Sequence, residues 1–355
     1  AKGARITGAC PLEESEVTRW LAHRIERRTV LRWVGEERRV EALLEARLGA
    51  LHARQRLGLE REHEDELFRG SGTGARKFFH PENWYAMQRF IPWVLKLTGL
   101  WGRAQRNTRD IRVVQNRIAL PGLPAGLEGL RILHLSDLHI DASEPLVEAI
   151  IQAVQPLEHD LCVLTGDYRF ETHGDPSRAI RNLERLRACL AEPVYAVLGN
   201  HDPVALLPAL EGMGVRVLMN EHVCVQHGGD RFILAGIDDV HYFGLGNVEK
   251  ALTGADGDLP LILLSHSPEI YRQAAHAGVD LMLCGHTHGG QICLPGEVPL
   301  ILEARIPRRL GRGAWQYGLL KGYTSPGAGA SVVEARLNCP PEVTVHALTS
   351  TIPLL

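Results

Sequence analysis

The chain has 355 residues, of which 45% are hydrophobic and 23% are charged, so its composition is that of a folded globular protein and excludes a disordered or low-complexity chain. This length suits two domains, or one large domain with an extension. The net charge of −3 conceals an asymmetry, because residues 1–120 carry 23 Lys+Arg against 15 Asp+Glu and the remainder carries 16 against 27. The basic residues are interspersed with acids, so we expect no nucleic-acid partner.

Cysteine usage and apolar runs predict the compartment. Seven cysteines are scattered along the chain without a CxxC pair, a pattern that favours reduced thiols over a zinc knuckle or a redox motif. The N-terminal sequence has no apolar stretch of signal-peptide length, and no segment approaches the roughly 18 apolar residues of a membrane span. We therefore expect a cytoplasmic protein that does not cross a membrane.

Residues 1–124 are predicted to form a helical N-terminal extension that serves as a membrane-surface region or a lid. From Pro11 to Arg69, apolar residues recur at helical spacing among Arg and Glu. This pattern favours a helical hairpin broken near Gly35, and the glycine-rich run at residues 70–74 predicts a flexible joint.

The segment at residues 82–106 combines aromatic and aliphatic side chains with basic ones. Amphipathic rings settle at the headgroup level of a bilayer while Lys and Arg meet anionic lipid, so the segment is interpreted as a helix on a membrane surface. Trp84, Trp93 and Trp101 are the predicted anchors. A helix packed on its own catalytic domain would use the same residue types, and both alternatives stay open. Pro92 should kink the helix in either case.

After residue 124, short β-like runs alternate with helical stretches, which predicts an α/β domain over residues 125–355. Five of the runs lead straight into polar residues, at the strand ends where open α/β sheets keep their ligand sites. The predicted strands are Arg131–Ser136, Leu161–Gly166, Val194–Leu198, His222–Gln226, Phe232–Gly236, Leu261–Ser265, Leu281–Gly285, Leu319–Thr324 and Val343–Leu348. The predicted helices are Glu144–Val154, Pro176–Ala191, Pro203–Met213 and Pro268–Ala277.

The polar clusters at these strand ends predict a metal site. If the strands extend through them, Asp137 and His139 project to one side, as do His286 and His288, so each pair can reach one ion. One such pair alone is weak, but five clusters are hard to explain by packing, because an unpaired buried polar group costs roughly 2–7 kcal/mol. Imidazole, carboxylate and amide ligands suit manganese, iron or zinc better than calcium. The clusters are Ser136-Asp137-Leu138-His139, Gly166-Asp167-Tyr168, Gly199-Asn200-His201-Asp202, Ser265-His266 and Gly285-His286-Thr287-His288.

At these residues the sequence resembles the calcineurin-like metallophosphoesterase superfamily, whose pattern is D-x-H, G-D, G-N-H-D/E, a lone H and G-H-x-H. The resemblance covers roughly residues 125–350. Ser136 in place of the usual Gly, the extended block at residues 285–292 and the late Pro340-Pro341-Glu342 are similar to the bacterial branch of membrane-associated phosphohydrolases. That branch often carries an Arg in a glycine-rich turn near the C-terminus, and this chain has none at residues 325–330.

The resemblance implies a four-layer α/β/β/α sandwich of two mixed sheets, joined here to the N-terminal helical extension. It also implies that His201 binds no metal and protonates the leaving oxygen, with Asp202 to orient it. Two cations about 3.5–4 Å apart lower the pKa of a water and neutralise the phosphoryl oxygens, which implies in-line hydrolysis without a phosphoenzyme. The implied ligands are Asp137, His139 and His288 for the first metal, Asn200, His266 and His286 for the second, and Asp167 as the bridge.

The sequence thus predicts a hydrolase of phosphate esters or pyrophosphates with two divalent transition metals, manganese first and iron or zinc as alternatives. The helix at residues 82–106 and the family branch favour an amphiphilic substrate at the inner membrane face, such as a phospholipid or UDP-diacylglucosamine, and hence a role in lipid metabolism. The alternatives are a soluble nucleotide or cyclic-nucleotide phosphodiesterase and a non-catalytic scaffold. Asp238, Asp239 and His241 are interpreted as a loop that borders the pocket.

Overall fold

The computed structural model describes residues 39–69, 85–172 and 174–351. The predicted break near Gly35, the glycine-rich joint at residues 70–74 and Trp84 lie outside these ranges. Within them, no helix is both long enough and apolar enough to cross a membrane.

The described part of the N-terminal extension is helical, as predicted, over residues 39–48 (α1), Ala50–Arg69 (α2), Tyr85–Leu97 (α3) and Trp101–Asn107 (α4). Two glycines interrupt these helices, Gly49 with φ 87° and Gly99 with φ 71°. Positive φ is accessible to glycine at little cost, so the helices end there. Helix α3 continues through Pro92, and the segment predicted as one helix is divided at residues 98–100.

The later part of the described chain forms five helices, of which four follow the predictions, two of them after a single 3₁₀ turn, and the short α8 was not predicted. They are α5 (Glu144–Val154), α6 (Ser177–Arg187), α7 (Leu207–Gly212), α8 (Val248–Leu252) and α9 (Tyr271–His276). The 3₁₀ turns Val204–Leu206 and Pro268–Ile270 precede α7 and α9.

The described residues contain fourteen strands, which include the nine predicted ones and five that the sequence patterns did not reveal. The unpredicted strands are short or lie at sheet edges, where burial imposes little apolar pattern. The strands are β1 (Arg112–Ala119), β2 (Arg131–Leu135), β3 (Leu161–Leu164), β4 (Val194–Ala196), β5 (Val215–Val217), β6 (Glu221–His227), β7 (Asp230–Gly236), β8 (Leu261–Leu264), β9 (Leu281–Cys284), β10 (Cys293–Leu294), β11 (Val298–Pro299), β12 (Gly313–Tyr317), β13 (Leu320–Thr324) and β14 (Glu342–Thr349).

These strands form two six-stranded mixed sheets and one small hairpin, β10-β11. The first sheet has the order β1-β14-β2-β3-β4-β5, with β2 to β5 parallel and β14 antiparallel to β2. The second has the order β12-β13-β9-β8-β7-β6, with β13, β9, β8 and β7 parallel. The central strands β3 and β9 are buried along their whole length, which explains why they read as unbroken apolar runs.

Packing of the two sheets produces the predicted four-layer α/β/β/α sandwich. Ile132 and Val163 of the first sheet share one buried cluster with Leu234 and Leu264 of the second. Helices α5, α6 and α7 cover the outer face of the first sheet, and α8 and α9 cover that of the second. Leu44 of α1 joins the cluster beneath the first sheet, so part of the N-terminal extension is built into the core.

Strand β1 lies inside the segment that was predicted to be helical. It pairs in parallel with β14 along its full length, from Arg112 beside Glu342 to Ala119 beside Thr349. Its polar residues occupy an exposed edge, so its sequence RVVQNRIA lacks a buried-strand pattern. The first sheet therefore begins before residue 124, while the division of the chain at that residue stays a prediction.

Candidate metal centre

The polar clusters meet where the two sheets present their carboxyl-terminal strand ends. Strands β2, β3 and β4 run parallel in the first sheet and β8 and β9 run parallel in the second, so their following residues emerge at a common edge. All seven predicted ligands are buried and lie at this edge: Asp137, His139, Asp167, Asn200, His266, His286 and His288.

One group of four side chains converges on a single point. The ligand atoms of Asp137, His139, Asp167 and His288 all lie within 4.8 Å of one another. The Nε2 atoms of His139 and His288 are 3.1 Å apart, and His288 Nε2 is 3.4 Å from Asp137 Oδ1. The set predicted for the first metal is thus brought together.

A second group adjoins the first and shares Asp167 with it. The ligand atoms of Asp167, His266 and His286 lie within 4.8 Å of one another. His266 Nε2 is 3.3 Å from Asp167 Oδ2 and 3.0 Å from Asn200 Oδ1. Asp167 therefore has the position expected of a bridging carboxylate.

The ligand side chains point to the centre because their backbone has strained φ angles, and not because they alternate along an extended strand. Strands β2 and β9 end at Leu135 and Cys284, before the ligands begin, so the expectation of extended DxH and HxH segments was wrong. Non-glycine residues at positive φ are uncommon, and such strain concentrates at functional sites. Five of the seven ligands have φ between 41° and 71°: Asp137, His139, Asp167, His286 and His288.

Hydrogen bonds to carbonyl groups orient two of the imidazole rings. His139 Nδ1 donates to the Arg169 carbonyl at 2.5 Å, and His266 Nδ1 donates to the Thr165 carbonyl at 2.7 Å. A carbonyl oxygen only accepts, so the Nδ1 atoms carry the protons and the Nε2 atoms face the centre. This arrangement is typical of metal-binding histidines.

Burial also adjusts the protonation of the ligands. It lowers the pKa of His139 to about 3 and holds the pKa values of His286 and His288 well below the usual range, so these rings are neutral, as ligation requires. Burial opposes ionisation of Asp167, yet the nearby His266 and His201 hold its pKa well below its usual range. Burial alone would lower the pKa of His266, but attraction to Asp167 and Asp137 raises it to about 10.

The donor set fits a pair of divalent cations. His286 Nδ1 is 3.2 Å from His266 Nε2, so both nitrogens face the same point. Buried nitrogens brought together in this way are costly unless something binds them. The two groups offer imidazole nitrogens and carboxylate oxygens with one carboxylate in common, the ligand chemistry of manganese, iron or zinc.

His201 stands beside the two groups without belonging to either. Its Nε2 is 3.9 Å from Asp167 Oδ2, and its Nδ1 donates to the Phe170 carbonyl at 2.9 Å. The carboxylate of Asp202 instead accepts from the backbone N–H groups of Asp167, Tyr168 and Gly199 at 2.7–2.9 Å. The carbonyl of Phe170, rather than Asp202, therefore orients the His201 ring.

Arg336, a further residue at the centre, escaped the sequence analysis, whereas His241 was assigned only to a loop at the border of the pocket. The buried Arg336 donates to the carbonyls of Pro326 and Gly329 at 2.6 and 2.5 Å, and its Nη2 lies 3.2 Å from His288 Nδ1. It supports the glycine-rich turn from a position beyond it, which no local pattern marks. His241, in the loop interpreted as a pocket border, lies with its ring centroid 4.1 Å from that of His286.

Comparison with known proteins agrees with this site. Residues 130–290 match the family model described as calcineurin-like phosphoesterase. The chain is 32% identical over 272 residues to the uncharacterized metallophosphoesterase YkoQ of Bacillus subtilis, covering 73% of this chain and 96% of that protein. It is 34% identical over 232 residues to the phosphodiesterase YaeI of Escherichia coli, covering 61% of this chain and 82% of that one.

A bovine relative is described as a transmembrane protein with a metallophosphoesterase domain. It is 31% identical over 281 residues, which cover 73% of this chain and 61% of the bovine protein. The resemblance to YkoQ extends over nearly the whole of that protein, and the family-model match at residues 130–290 includes the strand ends that carry the clustered ligands. The chain accordingly belongs to the calcineurin-like metallophosphoesterase family and is a metal-dependent hydrolase of phosphoesters.

Proposed function

We propose that the enzyme acts on an amphiphilic phosphate ester or pyrophosphate, with the phosphoryl group at the metal centre and the apolar part in an adjacent cavity. Phospholipids and UDP-diacylglucosamine belong to this class. The proposal rests on one observation: the cavity has a mainly apolar lining and directly adjoins two of the proposed metal ligands.

The cavity has a volume of about 320 Å³ and lies between helix α3 and the chain that follows the β10-β11 hairpin. Its lining is mainly apolar, yet it includes His286 and His288. Sites that bind small molecules are typically apolar with a few polar groups that fix orientation. The apolar side chains of the lining are Phe90, Ile91, Val94, Leu95, Ile292, Leu300, Ile301 and Val332.

The surface around the cavity supports attachment to a membrane. Phe90, Trp93 and Leu97 of α3 are 55%, 59% and 73% exposed, and exposed apolar groups of this size mark interaction surfaces when they cluster. Leu294 and Val298 of the hairpin and the cavity-lining Leu300 and Ile301 are exposed as well. Basic side chains accompany both elements, and each contributes about 1 kcal/mol near an anionic bilayer. They are Arg89 and Lys96 on α3 and Arg308 and Arg309 after the hairpin.

Two of the three tryptophans predicted as anchors lie in the described residues, and the proposal gives them different roles. Trp93 is exposed beside the cavity, whereas Trp101 is half-buried and packs against the cluster of Leu95, Ala104 and Val333. We therefore assign the lipid contact to Trp93 and the attachment of α4 to Trp101. Trp84 lies outside the described residues. A cytoplasmic enzyme bound peripherally to the inner membrane face fits this division.

The chemistry of the site follows from its residues. When bound, two ions of manganese, iron or zinc would supply Lewis-acid activation of a water and of the phosphoryl oxygens. Asp137, His139 and His288 would hold one ion, Asn200, His266 and His286 the other, and Asp167 both. His201, whose Nδ1 proton is engaged by Phe170, keeps its Nε2 on the side of Asp167. We propose that His201, in the doubly protonated form that also carries a proton on Nε2, gives that proton to the leaving oxygen, a contribution typically of about 10²–10⁴-fold.

A matched pair of substrates tests the proposal. With manganese supplied, bis-p-nitrophenyl phosphate is compared with a long-chain alkyl p-nitrophenyl phosphate, with and without detergent micelles. We expect both to be hydrolysed, with a lower KM for the amphiphile and a dependence on micelles for that substrate alone. Equal KM values without a detergent effect would favour a soluble phosphodiesterase, and no turnover of either substrate would favour a scaffold.

A further inference from the structure

Helix α2 of the N-terminal extension lies against the loop that carries His201. Arg56 of this helix is fully buried, and its Nη2 donates to the carbonyl of Asp202 at 3.0 Å. One turn further along α2, Glu60 Oε1 accepts from the backbone N–H of Val204 at 2.9 Å. The helix thus binds the main chain at two points directly after His201.

The guanidinium of Arg56 is itself held in place from three sides. Its Nε is 3.3 Å from Asp238 Oδ1, its Nη1 is 3.1 Å from Glu60 Oε1, and its Cζ lies 3.4 Å above the ring of Phe243. Asp238 is also 2.9 Å from His52 Nε2, on the same helix. Among the described residues, the contacts of Nε and Nη1 are ion pairs without a hydrogen bond, so charge and the stacking on Phe243 hold the guanidinium while Nη2 donates to the Asp202 carbonyl.

Asp202 transmits this contact to the site. Its carbonyl faces Arg56, while its carboxylate accepts from the N–H groups of Gly199 and Asp167. The N–H of His201, one residue earlier, donates to Asp167 Oδ1 at 2.9 Å. A displacement of the Asp202 carbonyl therefore changes the position of His201 relative to Asp167.

We propose that Arg56 is a positioning residue for His201, so that the N-terminal extension completes the catalytic loop of the enzyme. The inference rests on the proposed role of His201 as the proton donor. Arg56 touches neither ligand group and acts through the Asp202 carbonyl, the contact that ties α2 to the loop.

Arg56→Lys tests the inference in the full-length enzyme with manganese. Lysine keeps the charge beside Asp238 but lacks the planar fork that reaches the Asp202 carbonyl while it stacks on Phe243. We expect kcat on bis-p-nitrophenyl phosphate to fall by up to about 100-fold, with KM and metal content unchanged, because a misplacement of about 1 Å has that effect. The loss should be larger on diphenyl phosphate, whose more basic leaving group depends more on a proton donor.

The His201→Ala background separates positioning from a general structural effect. There, Arg56→Lys should cost less than about threefold, because residues that act as a unit are not additive. Arg54→Ala is the matched control, since Arg54 is exposed on the same helix and, within the described ranges, donates to the Ala50 carbonyl of its own turn. We expect this variant to keep wild-type kinetics.

The outcomes are distinguishable. Equal losses from Arg56→Lys in both backgrounds, or an unchanged dependence on the leaving group, would overturn the inference alone. Wild-type activity of His201→Ala would overturn the proposed role of His201 and the inference with it. If Arg56→Lys does not fold, Glu60→Ala provides the same comparison, since it removes the acceptor for the Val204 N–H from a half-buried position.

Discussion

Gly199 is the position where a single methyl group should disable both metal sites. A Cβ at this residue would lie 2.2 Å from Asp167 Oδ1, 2.5 Å from Asp167 N and 2.9 Å from His266 Cε1. Comfortable separation between nonbonded heavy atoms is about 3.5–4.0 Å. The backbone N of Asp167 is held by Asp202 at 2.7 Å, so it has little freedom to move away.

The size of the effect follows from this overlap of about 1 Å. Forcing an extra methyl group into a packed site costs about 1–3 kcal/mol, which corresponds to a decrease in Tm of about 1–4 °C for a chain of 355 residues. Asp167 belongs to both ligand groups and His266 to one of them. Displacement of such groups by about 1 Å lowers the reaction rate by about 100-fold. Gly199→Ala should therefore lower turnover by at least that factor and weaken metal retention.

The measurements are metal content by elemental analysis, hydrolysis of bis-p-nitrophenyl phosphate with manganese, and Tm. Gly212→Ala is the control, because a Cβ there meets nothing within 4 Å and the residue ends helix α7. We expect that variant to keep wild-type turnover and to gain up to about 1 kcal/mol of stability. A Gly199→Ala enzyme with wild-type metal content and turnover would refute the reasoning.

Three further predictions concern the proton donor, the metal ligands and the membrane surface. His201→Ala should lower kcat by about 10²–10⁴-fold with two metals retained, because His201 lies outside both ligand groups; loss of metal on elemental analysis would contradict its assigned role. Because the pKa of His266 is raised to about 10, the ring is protonated in the metal-free protein at neutral pH and must lose that proton to bind a metal. Calorimetric titration with manganese should therefore show release of about one proton per chain, and an enthalpy that is the same in buffers of different ionisation enthalpy would exclude this. Replacing Phe90 and Trp93 by Ala should weaken sedimentation with anionic liposomes and hydrolysis of the amphiphilic substrate, while bis-p-nitrophenyl phosphate turnover stays unchanged. Leu319→Ala, which removes a side chain that is 93% exposed and absent from the cavity lining, should have no effect on either, and wild-type protein that does not sediment at low salt would count against the surface.

The polar clusters could be predicted from the sequence because each begins where an apolar run ends, and the family resemblance implied the ligands within them. A buried parallel strand such as β3 or β9 leaves an unbroken apolar signature, and a polar residue immediately after it is conspicuous. The same local signatures located nine strands, helix α5 at its predicted bounds and the α/β class, whereas the sandwich arrangement came from the family resemblance. The strands, the helix and the polar residues that follow the strands depend on residues close together in the chain, so the sequence pattern predicts them.

Tertiary structure alone decided how the ligands reach the metals and what surrounds them. The positive φ angles of Asp137 and His288 are strained conformations that only the packed sheet ends can enforce, and a local pattern predicts extended chain there instead. Edge strand β1 shows no buried pattern because half of it faces solvent. Arg56 and Arg336 lie about 146 and 48 residues along the chain from the groups that they support. The cavity is lined by α3 and by the chain after the β10-β11 hairpin, roughly 200 residues further on. Contacts between such distant segments arise from packing of the whole chain, and no periodicity of the residues themselves encodes them.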